Sequence, residues 1–375
     1  MTHSTDLHVI FGTGPLGTAV MRSLRRRGKR VRVINRTGRP SPALGDAGEI
    51  ELMAADAYDK ASTATAIAGA THVYQCAQPA YHRWAEQFPA LQQTILEAAS
   101  ALGAKLIVAE NLYMYGEPQG RPLTEDTPYR PNTRKGRVRA EMTDALFEAH
   151  ARGQIRATAG RASDFYGPGD LLGERLFGAA LQGKTANGLG NLDQPHTFSY
   201  IEDFGEALAV LGEREEALGH AWHIPSAEPL TQRDLIRQIF TEIGAPSKIG
   251  VYSPWMLKLV GMFTPAVREV NEMLYEFTAP FVMDSSRFQH QFGQQPTPHV
   301  EGVVSRAPGG CPPREASLRA CRHRVSGHSR PALFRDPMVG TDGAEWGGED
   351  SAGFGRILRG TSHTTTQRAR HAARV

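Results

Sequence analysis

The segment Gly12-Thr13-Gly14-Pro15-Leu16-Gly17 constrains the fold of this chain more than any other stretch of its sequence. An apolar run over residues 7–11 precedes it and predicts a buried strand, and a helix-forming stretch over residues 18–24 follows it. A second apolar run, residues 31–34, then predicts another strand. A GxGxxG segment alone is often an ordinary turn. The order strand, GxGxxG, helix, strand is the context in which this fingerprint binds a dinucleotide.

Each part of this loop has a physical task in dinucleotide binding. Gly12 permits the tight turn, Gly14 lets the backbone approach a pyrophosphate, and Gly17 lets the helix pack closely on the strand. The start of the helix presents free N–H groups and the positive end of its dipole to the phosphates. The predicted phosphate-binding part of the cofactor site therefore consists of Gly12, Thr13, Gly14, Pro15, Leu16 and Gly17.

The ends of the next predicted strands are expected to line the rest of the cofactor. Asn35 and Arg36 follow the second strand, where a carboxylate would bond the ribose 2′-hydroxyl of NAD and an arginine accommodates the 2′-phosphate of NADP. Because no carboxylate stands there, NADP(H) is predicted as the preferred cofactor and NAD(H) as the alternative. The other interpretation is that the arginine only decorates a solvated loop. Asp56 follows a strand over residues 49–54 and is placed to meet the adenine, and Ala77 ends a strand that borders the cofactor.

Strands and helices alternate through the first part of the chain. Further strands are predicted over residues 71–77, 105–109 and 155–159, and helices over residues 61–68, 90–102 and 133–151. This alternation predicts an α/β fold, a Rossmann-type doubly wound parallel sheet with a small mixed α/β substrate lobe. The expected boundaries are 1–165 for the NAD(P)-binding Rossmann domain, 166–300 mainly for the substrate lobe, with some strands returning to the sheet, and 301–375 for an atypical, disordered tail.

Charge and composition narrow the class of protein. The formal charge is +3, but residues 301–375 hold 12 arginines, no lysine and seven acidic residues, which leaves residues 1–300 near −2. No nucleic-acid partner is therefore expected. No apolar run approaches the ~20 residues that span a bilayer, and the N-terminus lacks a secretory pattern, so we expect a cytoplasmic protein with no membrane partner. The three cysteines form no CxxC pair and the histidines no ligand cluster, so no metal is expected.

Further segments in a fixed order make the chain resemble a known superfamily. Residues 114–116 (MYG) are followed by residues 123–128 (LTEDTP), then by residues 161–169 (RASDFYGPG) and 198–203 (FSYIED). Together with GTGPLG they resemble the extended and atypical short-chain dehydrogenases/reductases, in particular NAD-dependent epimerase/dehydratase-like proteins, from about residue 7 to about residue 300. The resemblance implies a nicotinamide cofactor and a small substrate that carries a hydroxyl or carbonyl group.

The chain departs from that family at its acid–base residues. The resemblance places Asn111 where active members have a serine. With Glu141 as the anchor, it places Thr133 and Arg137 where they have the Tyr and Lys of Tyr-x-x-x-Lys. In the family, that tyrosine moves a proton at the oxygen beside the carbon that exchanges hydride. Threonine is no acid near neutral pH, and arginine does not deprotonate, whereas Asn111 can still orient a carbonyl. Tyr113, on the same face as Asn111 if the backbone is extended, is the leading candidate for a stand-in acid, and Tyr115 and Tyr166 are further candidates. The other interpretation of these tyrosines is ordinary packing.

Two classes of function follow from these departures. The loops over residues 111–116 and 161–169 favour an NAD(P)-dependent oxidoreductase or epimerase-type enzyme, whereas the missing Tyr and Lys favour a non-catalytic NADP(H)-binding sensor or regulator. The expected partner is a small-molecule substrate, with a homodimer left open. The aromatic residues Tyr81, Trp84 and Phe88 follow the fourth strand and belong either to the core or to a substrate pocket.

Overall fold

The computed structural model describes residues 6–41, 44, 50–167, 169, 171–262 and 265–304. Within these residues the strands are β1 (Leu7–Phe11), β2 (Arg30–Asn35), β3 (Glu51–Ala54), β4 (Ala70–Gln75), β5 (Lys105–Glu110), β6 (Arg156–Arg161), β7 (Phe165–Tyr166), β8 (Ala186–Leu189), β9 (Pro195–His196), β10 (Ser199–Tyr200), β11 (Ala221–His223), β12 (Leu230–Thr231) and β13 (Ile249–Tyr252). The helices are α1 (Pro15–Arg26), α2 (Lys60–Ala66), α3 (Trp84–Leu102), α4 (Arg134–Ala151), α5 (Leu171–Leu181), α6 (Ile201–Glu213), α7 (Gln232–Ile243), α8 (Pro254–Gly261), α9 (Pro265–Asn271), α10 (Ser286–Phe292) and α11 (His299–Val304).

A seven-stranded parallel sheet is the centre of the fold, in the order β11-β6-β5-β4-β1-β2-β3. Strand β1 is buried along its whole length, as expected for a central parallel strand covered on both faces. The carboxyl ends of β1, β4 and β5 are neighbours, and the strand order reverses direction at β1. Ligands of such sheets bind beyond this edge, at the reversal point.

Helices cover the two faces of the sheet. On one face, α1 and α6 pack together and bury Val20, Phe204 and Leu208 against Ile10 of β1. On the other face, α2, α3 and α4 bury a second apolar cluster that includes Leu91, Ile95 and Leu146. Helix α6 and strand β11 lie after residue 166 in the chain and nevertheless belong to these sheet layers.

A smaller lobe is formed mainly by later segments. It contains the parallel pair β8–β13, the antiparallel pair β9–β12, and a core contributed by α5, α7 and α11. Helices α8 and α9 follow β13 and contact each other beside the start of α4. The predicted fold class is therefore confirmed. The domain boundaries stay predictions. Residues 301–304 of the predicted disordered tail are helical in α11, with Val303 buried in the lobe core, and the rest of that predicted tail, 305–375, lies outside the residues that the structure describes.

Two predicted helix starts differ from the structure. Helix α3 begins at Trp84 rather than at residue 90 and continues through Pro89, which removes one backbone hydrogen bond near the start of a long buried helix. Helix α4 begins at Arg134, and Thr133 is its N-cap, because the Thr133 hydroxyl accepts a hydrogen bond from the backbone N–H of Gly136 at 3.0 Å.

Candidate active site

The glycine loop has the geometry of a dinucleotide cradle. Gly12 has a φ of +110°, and a Cβ there would lie 3.0 Å from the backbone nitrogen of Ala77. A Cβ on Gly17 would lie 2.1 Å from the carbonyl oxygen of Gly12, so both positions require glycine. A Cβ on Gly14 would meet no atom within 4 Å. Gly14 is also the N-cap of α1 and offers no side-chain cap, which leaves this helix start open toward that space.

The loop after β2 is organised by one side chain. The Asn35 amide nitrogen donates to Thr13 Oγ1 at 3.2 Å and to the Arg39 carbonyl at 2.7 Å, and its oxygen accepts from the backbone N–H of Gly38 at 2.7 Å. Asn35 therefore shapes the loop and joins it to the glycine segment. The next residue, Arg36, is exposed and interacts electrostatically with Asp56, which follows β3. The structure thus brings the predicted ribose and adenine residues to one edge.

Tyr113 lies beyond β5 with Asn111. The Asn111 side-chain oxygen accepts a hydrogen bond from the backbone N–H of Tyr113 at 3.3 Å, at the start of a 3₁₀ turn over Tyr113–Tyr115. The Tyr81 hydroxyl, from the loop after β4, donates to the Tyr113 hydroxyl at 3.3 Å. Burial raises the pKa of Tyr113 well above its usual value of 10, and the nearby Tyr81 and Glu276 raise it further. Tyr113 is therefore a neutral phenol at physiological pH, unlike the tyrosine of lowered pKa that the resemblance implies for an active member.

The side chains of Thr133 and Arg137 do not join this tyrosine pair. Thr133 uses its hydroxyl to cap α4, and Arg137 is exposed and lines a cavity of about 550 Å³ with Pro254 and Lys258. The cation beside the tyrosines is Lys135, whose Nζ lies 4.3 Å from the centre of the Tyr81 ring. The assignment of Thr133 and Arg137 to the family Tyr and Lys positions stays a prediction, and the structure adds that the helical phase of α4 turns Lys135 inward and Arg137 outward.

Lys135 is held by two carboxylates of the lobe. Its Nζ forms ion pairs with Glu269 of α9 and, at 3.0 Å, with Glu272, and its backbone N–H donates to Glu272 at 2.9 Å. Only 4% of the Lys135 side chain is exposed. Gly136 makes this approach feasible, since a Cβ there would lie 2.6 Å from the Tyr113 carbonyl oxygen. These contacts fix the start of α4 between the tyrosine loop and the lobe.

Two acidic residues near the tyrosines were missed by the sequence analysis. Glu276 is 2% exposed, and burial together with the charge of Asp164 raises its pKa well above the usual value. His196 joins the two residues: Nε2 lies 2.9 Å from the Asp164 carboxylate and Nδ1 lies 3.1 Å from the Glu276 carbonyl oxygen. Asp164 belongs to the RASDFYGPG segment, so the sequence analysis could have named it as a candidate, whereas Glu276 lies in no motif.

The hydroxyl groups of Tyr115 and Tyr166 have hydrogen-bond partners other than Tyr81 and Tyr113. The Tyr115 hydroxyl accepts from Arg161 at 2.5 Å and lies 2.8 Å from His223, inside a buried network that also includes Glu110. Tyr166 lies 3.0 Å from His299 in the lobe core. Tyr113 is therefore the tyrosine of its 3₁₀ turn that is coupled to Tyr81.

The remaining candidate residues are wholly or partly buried. Trp84 and Phe88 are buried in the core, whereas Tyr81 is half-buried and contributes its hydroxyl, so the aromatic stretch divides between the two predicted roles. Burial raises the pKa of the Cys76 thiol to about 12, as expected for an unreactive cysteine.

In the part of the chain that the structure describes, no three His, Cys, Asp or Glu side chains are grouped to hold a metal ion. No helix of that part has the length and apolar character needed to cross a bilayer.

A protein family and several known proteins are similar to this chain. The model of the NAD dependent epimerase/dehydratase family matches residues 9–224. The 3beta-hydroxysteroid-dehydrogenase/decarboxylase isoform 2 of Arabidopsis thaliana is 24% identical over 255 residues, which cover 63% of this chain and 44% of that protein, so this chain spans less than half the length of that relative.

Solved structures show the same fold. The dTDP-glucose 4,6-dehydratase DesIV from Streptomyces venezuelae, solved with NAD bound, is 18% identical, with a TM-score of 0.65 over 79% of this chain and 95% of that chain. The UDP-N-acetylglucosamine 4-epimerase from Bacillus cereus is 16% identical, with a TM-score of 0.63 over 80% of this chain and 94% of that chain. The family model covers more than half of the sequence and confirms the predicted family: this chain belongs to the NAD dependent epimerase/dehydratase family.

Proposed function

We propose that this protein is an NAD(P)-dependent oxidoreductase that acts on a small hydroxyl- or carbonyl-bearing substrate and favours reduction of a carbonyl. The observation that carries the proposal is the Tyr113 hydroxyl, which follows β5 beside Asn111, is hydrogen-bonded to Tyr81 and lies at the same sheet edge as the open space above Gly14. A protonated phenol gives a proton to a carbonyl oxygen but is unavailable as the base that alcohol oxidation needs. Reduction is therefore the direction that this site supports.

Residues of the glycine loop would hold the cofactor. The backbone of Gly12–Gly17 and the start of α1 would take the pyrophosphate, Ala77 would border it, and Arg36 would meet a 2′-phosphate. When bound, the nicotinamide supplies the hydride for the carbonyl carbon. The DesIV structure contains NAD, whereas Arg36 favours NADP(H) in this chain. The carboxylate of Asp56 interacts with Arg36 and offsets part of its charge.

Tyr113 and Tyr81 would supply the proton that the reduction needs. Asn111 would orient the substrate carbonyl, and Tyr113 would donate its hydroxyl proton to the carbonyl oxygen as the carbon takes the hydride, so the product is the alcohol. The Tyr81 hydroxyl already donates to Tyr113 and would return a proton to it. Lys135, above the Tyr81 ring, would stabilise the negative charge that develops on this pair.

The alternative function is a non-catalytic NADP(H) sensor. Two observations favour it: Thr133 stands at the position of the family tyrosine, and the pKa of Tyr113 is raised rather than lowered. A buried phenol of raised pKa is a weaker acid and donates its proton more slowly. A sensor also needs the cofactor site but no acid–base pair.

A binding assay and a turnover assay on the same protein separate the two functions. NADPH and NADH binding are titrated by fluorescence, and NADPH consumption is then followed with a broad panel of ketones and keto sugars. Consumption with any panel member supports the enzyme. Binding at micromolar NADPH with no turnover across the panel supports the sensor.

A matched variant controls for nonspecific binding. Gly14→Asp should fold, because a side chain at Gly14 meets no protein atom within 4 Å and its φ of −72° is ordinary. It places a carboxylate at the predicted pyrophosphate position, and it should abolish binding of both dinucleotides while leaving the melting temperature within a few degrees of the wild type. Unchanged NADPH affinity in Gly14→Asp would exclude this loop as the cofactor site.

A further inference from the structure

Helix α8 and its C-cap residue carry three large apolar side chains that are about half exposed or more. Trp255 is 69% exposed, Leu259 48% and Met262 67%, and their spacing of four and three residues places them on one side of the helix axis. Val251, at the end of the preceding strand, is 45% exposed. A contiguous exposed patch that includes a tryptophan marks an interaction surface more often than a solvated one.

Three cations without an ion-pair partner in the described part of the chain lie along one side of α8, next to this apolar side. Lys258 of α8 lines the cavity of about 550 Å³ together with Arg134 and Arg137 of α4. Among the described residues, none of these three side chains makes an ion pair or hydrogen bond with another side chain. The one acidic residue of that cavity lining, Glu272, is already paired with Lys135. The cavity that borders α8 beside the apolar patch is therefore positively charged.

We propose that the apolar side of α8 and its three flanking cations bind the surface of an anionic lipid bilayer. Tryptophan, leucine and methionine side chains enter the boundary between headgroups and acyl chains, and arginine and lysine side chains beside them pair with anionic headgroups. Helix α8 has 8 residues, far fewer than a spanning helix, so it would lie on the membrane rather than cross it. This inference is independent of the proposed function and departs from the expectation of no membrane partner, because that expectation was drawn from the absence of spanning and secretory segments.

Charge argues against two other occupants of this surface. The segment 305–375 contains 12 arginines and six acidic residues, so it would bring positive charge to a positively charged surface. A second copy of the chain, packed symmetrically through the same patch, would oppose the same cations to each other. The cations beside α8 would attract an anionic bilayer surface rather than repel it.

Vesicle flotation of the full chain tests the proposal. Vesicles of phosphatidylcholine alone are compared with vesicles that also contain phosphatidylserine. The double variant Trp255→Ser/Leu259→Ser removes apolar contacts, and Arg134→Gln/Lys258→Gln removes charge. Leu102→Ser/Leu181→Ser, at two exposed leucines elsewhere, is the matched control, because these leucines are 46% and 51% exposed. Melting temperatures verify that each variant is folded.

The expected result is binding to the anionic vesicles that is at least tenfold stronger than binding to the neutral ones. Both α8-face variants should lower it about tenfold or more, and the leucine control should not. Absence of binding to anionic vesicles would overturn the proposal. Undiminished binding by Trp255→Ser/Leu259→Ser would overturn it as well, and would assign the effect to the arginine-rich segment. A wild-type dimer that this variant dissociates, without vesicle binding, would assign the face to a second copy.

Discussion

The hydroxyl groups of Tyr81 and Tyr113 lie 3.3 Å apart, and Tyr81 is the donor. The two residues come from the loops after β4 and β5, which are adjacent strands, and Lys135 lies over the ring of Tyr81 from the start of α4. Three segments that are distant in sequence therefore combine a proton donor, its hydrogen-bond partner and a cation. Since Thr133 is engaged in capping α4, this cluster is the described arrangement that is best placed to replace the missing family tyrosine.

Replacement of Tyr113 by phenylalanine should lower turnover by ~10²–10⁴-fold, because a general acid contributes about that much to a rate. NADPH affinity should stay nearly unchanged, since the hydroxyl is not part of the phosphate cradle. The measurement is the steady-state rate with a substrate found in the panel, together with a fluorescence titration of NADPH. Thr133→Val is the control and should change turnover little. An equal loss of turnover in both variants would contradict the assignment to Tyr113.

The register of α4 gives a second prediction through Lys135 and Arg137. Lys135→Met removes the cation above Tyr81 and should lower turnover at least tenfold, whereas Arg137→Met, at an exposed side chain, should leave turnover within about twofold. The methionine keeps the length and apolar stem of each side chain. Lys135→Arg should restore part of the activity lost in Lys135→Met, which a purely structural role in packing would not require. If Arg137→Met is the impaired variant, the register implied by the resemblance is right.

Arg36 gives a prediction about cofactor choice. A charge-assisted contact between Arg36 and a 2′-phosphate should contribute roughly 1.5–3 kcal/mol, which is about a ten- to a hundredfold preference for NADPH over NADH. Fluorescence titration of the wild type and Arg36→Ala with both reduced cofactors measures this preference, and Arg39→Ala controls for loss of a charge in the same loop. Equal affinities of the wild type for NADPH and NADH would show that Arg36 only decorates the loop.

The parts of this protein that were predictable from the sequence are local. The strand of residues 7–11, the glycine loop and the helix that follows depend on neighbours within about 30 residues, and their order determines a parallel βαβ unit. Asn35 was predicted as a cofactor-binding residue from its place at the end of the second strand, and its hydrogen bonds show that it shapes the loop that follows. Position at a strand end thus predicts the location of a residue better than its chemical task.

The parts that escaped prediction depend on distant partners or on helical phase. Lys135 faces inward because Glu269 and Glu272, more than a hundred residues later, lie against it, and no local pattern announces that contact. Glu276 has an altered pKa only because the lobe folds over it and brings Asp164 close. Residues two apart along α4 point about 200° apart, so Lys135 and Arg137 face opposite sides of the helix, and anchoring on Glu141 gave no sign that Lys135 contacts Tyr81.

A pair of histidines away from the active site should make stability depend on pH. His8 is 1% exposed, its ring stacks on that of His72 with centroids 4.3 Å apart, and its Nδ1 lies 3.1 Å from the Tyr74 hydroxyl. Burial, with a further contribution from His72, lowers the pKa of His8 from 6.5 to about 3. Burial and the charge of Lys105 lower the pKa of the half-buried His72 to about 4.

The unfolded chain therefore binds more protons than the folded one between pH 6.5 and about 4, and the free energy of unfolding should fall as the pH drops through that window. His8 alone should contribute about 1 kcal/mol of this loss between pH 6 and pH 5. Urea unfolding at several pH values measures it, and His8→Asn should reduce the slope by that amount even though it lowers stability at pH 7. The same replacement of the exposed His290 is the control for losing a histidine as such. An identical slope in the wild type and His8→Asn would show that His8 accepts a proton in the folded protein as readily as in the unfolded chain.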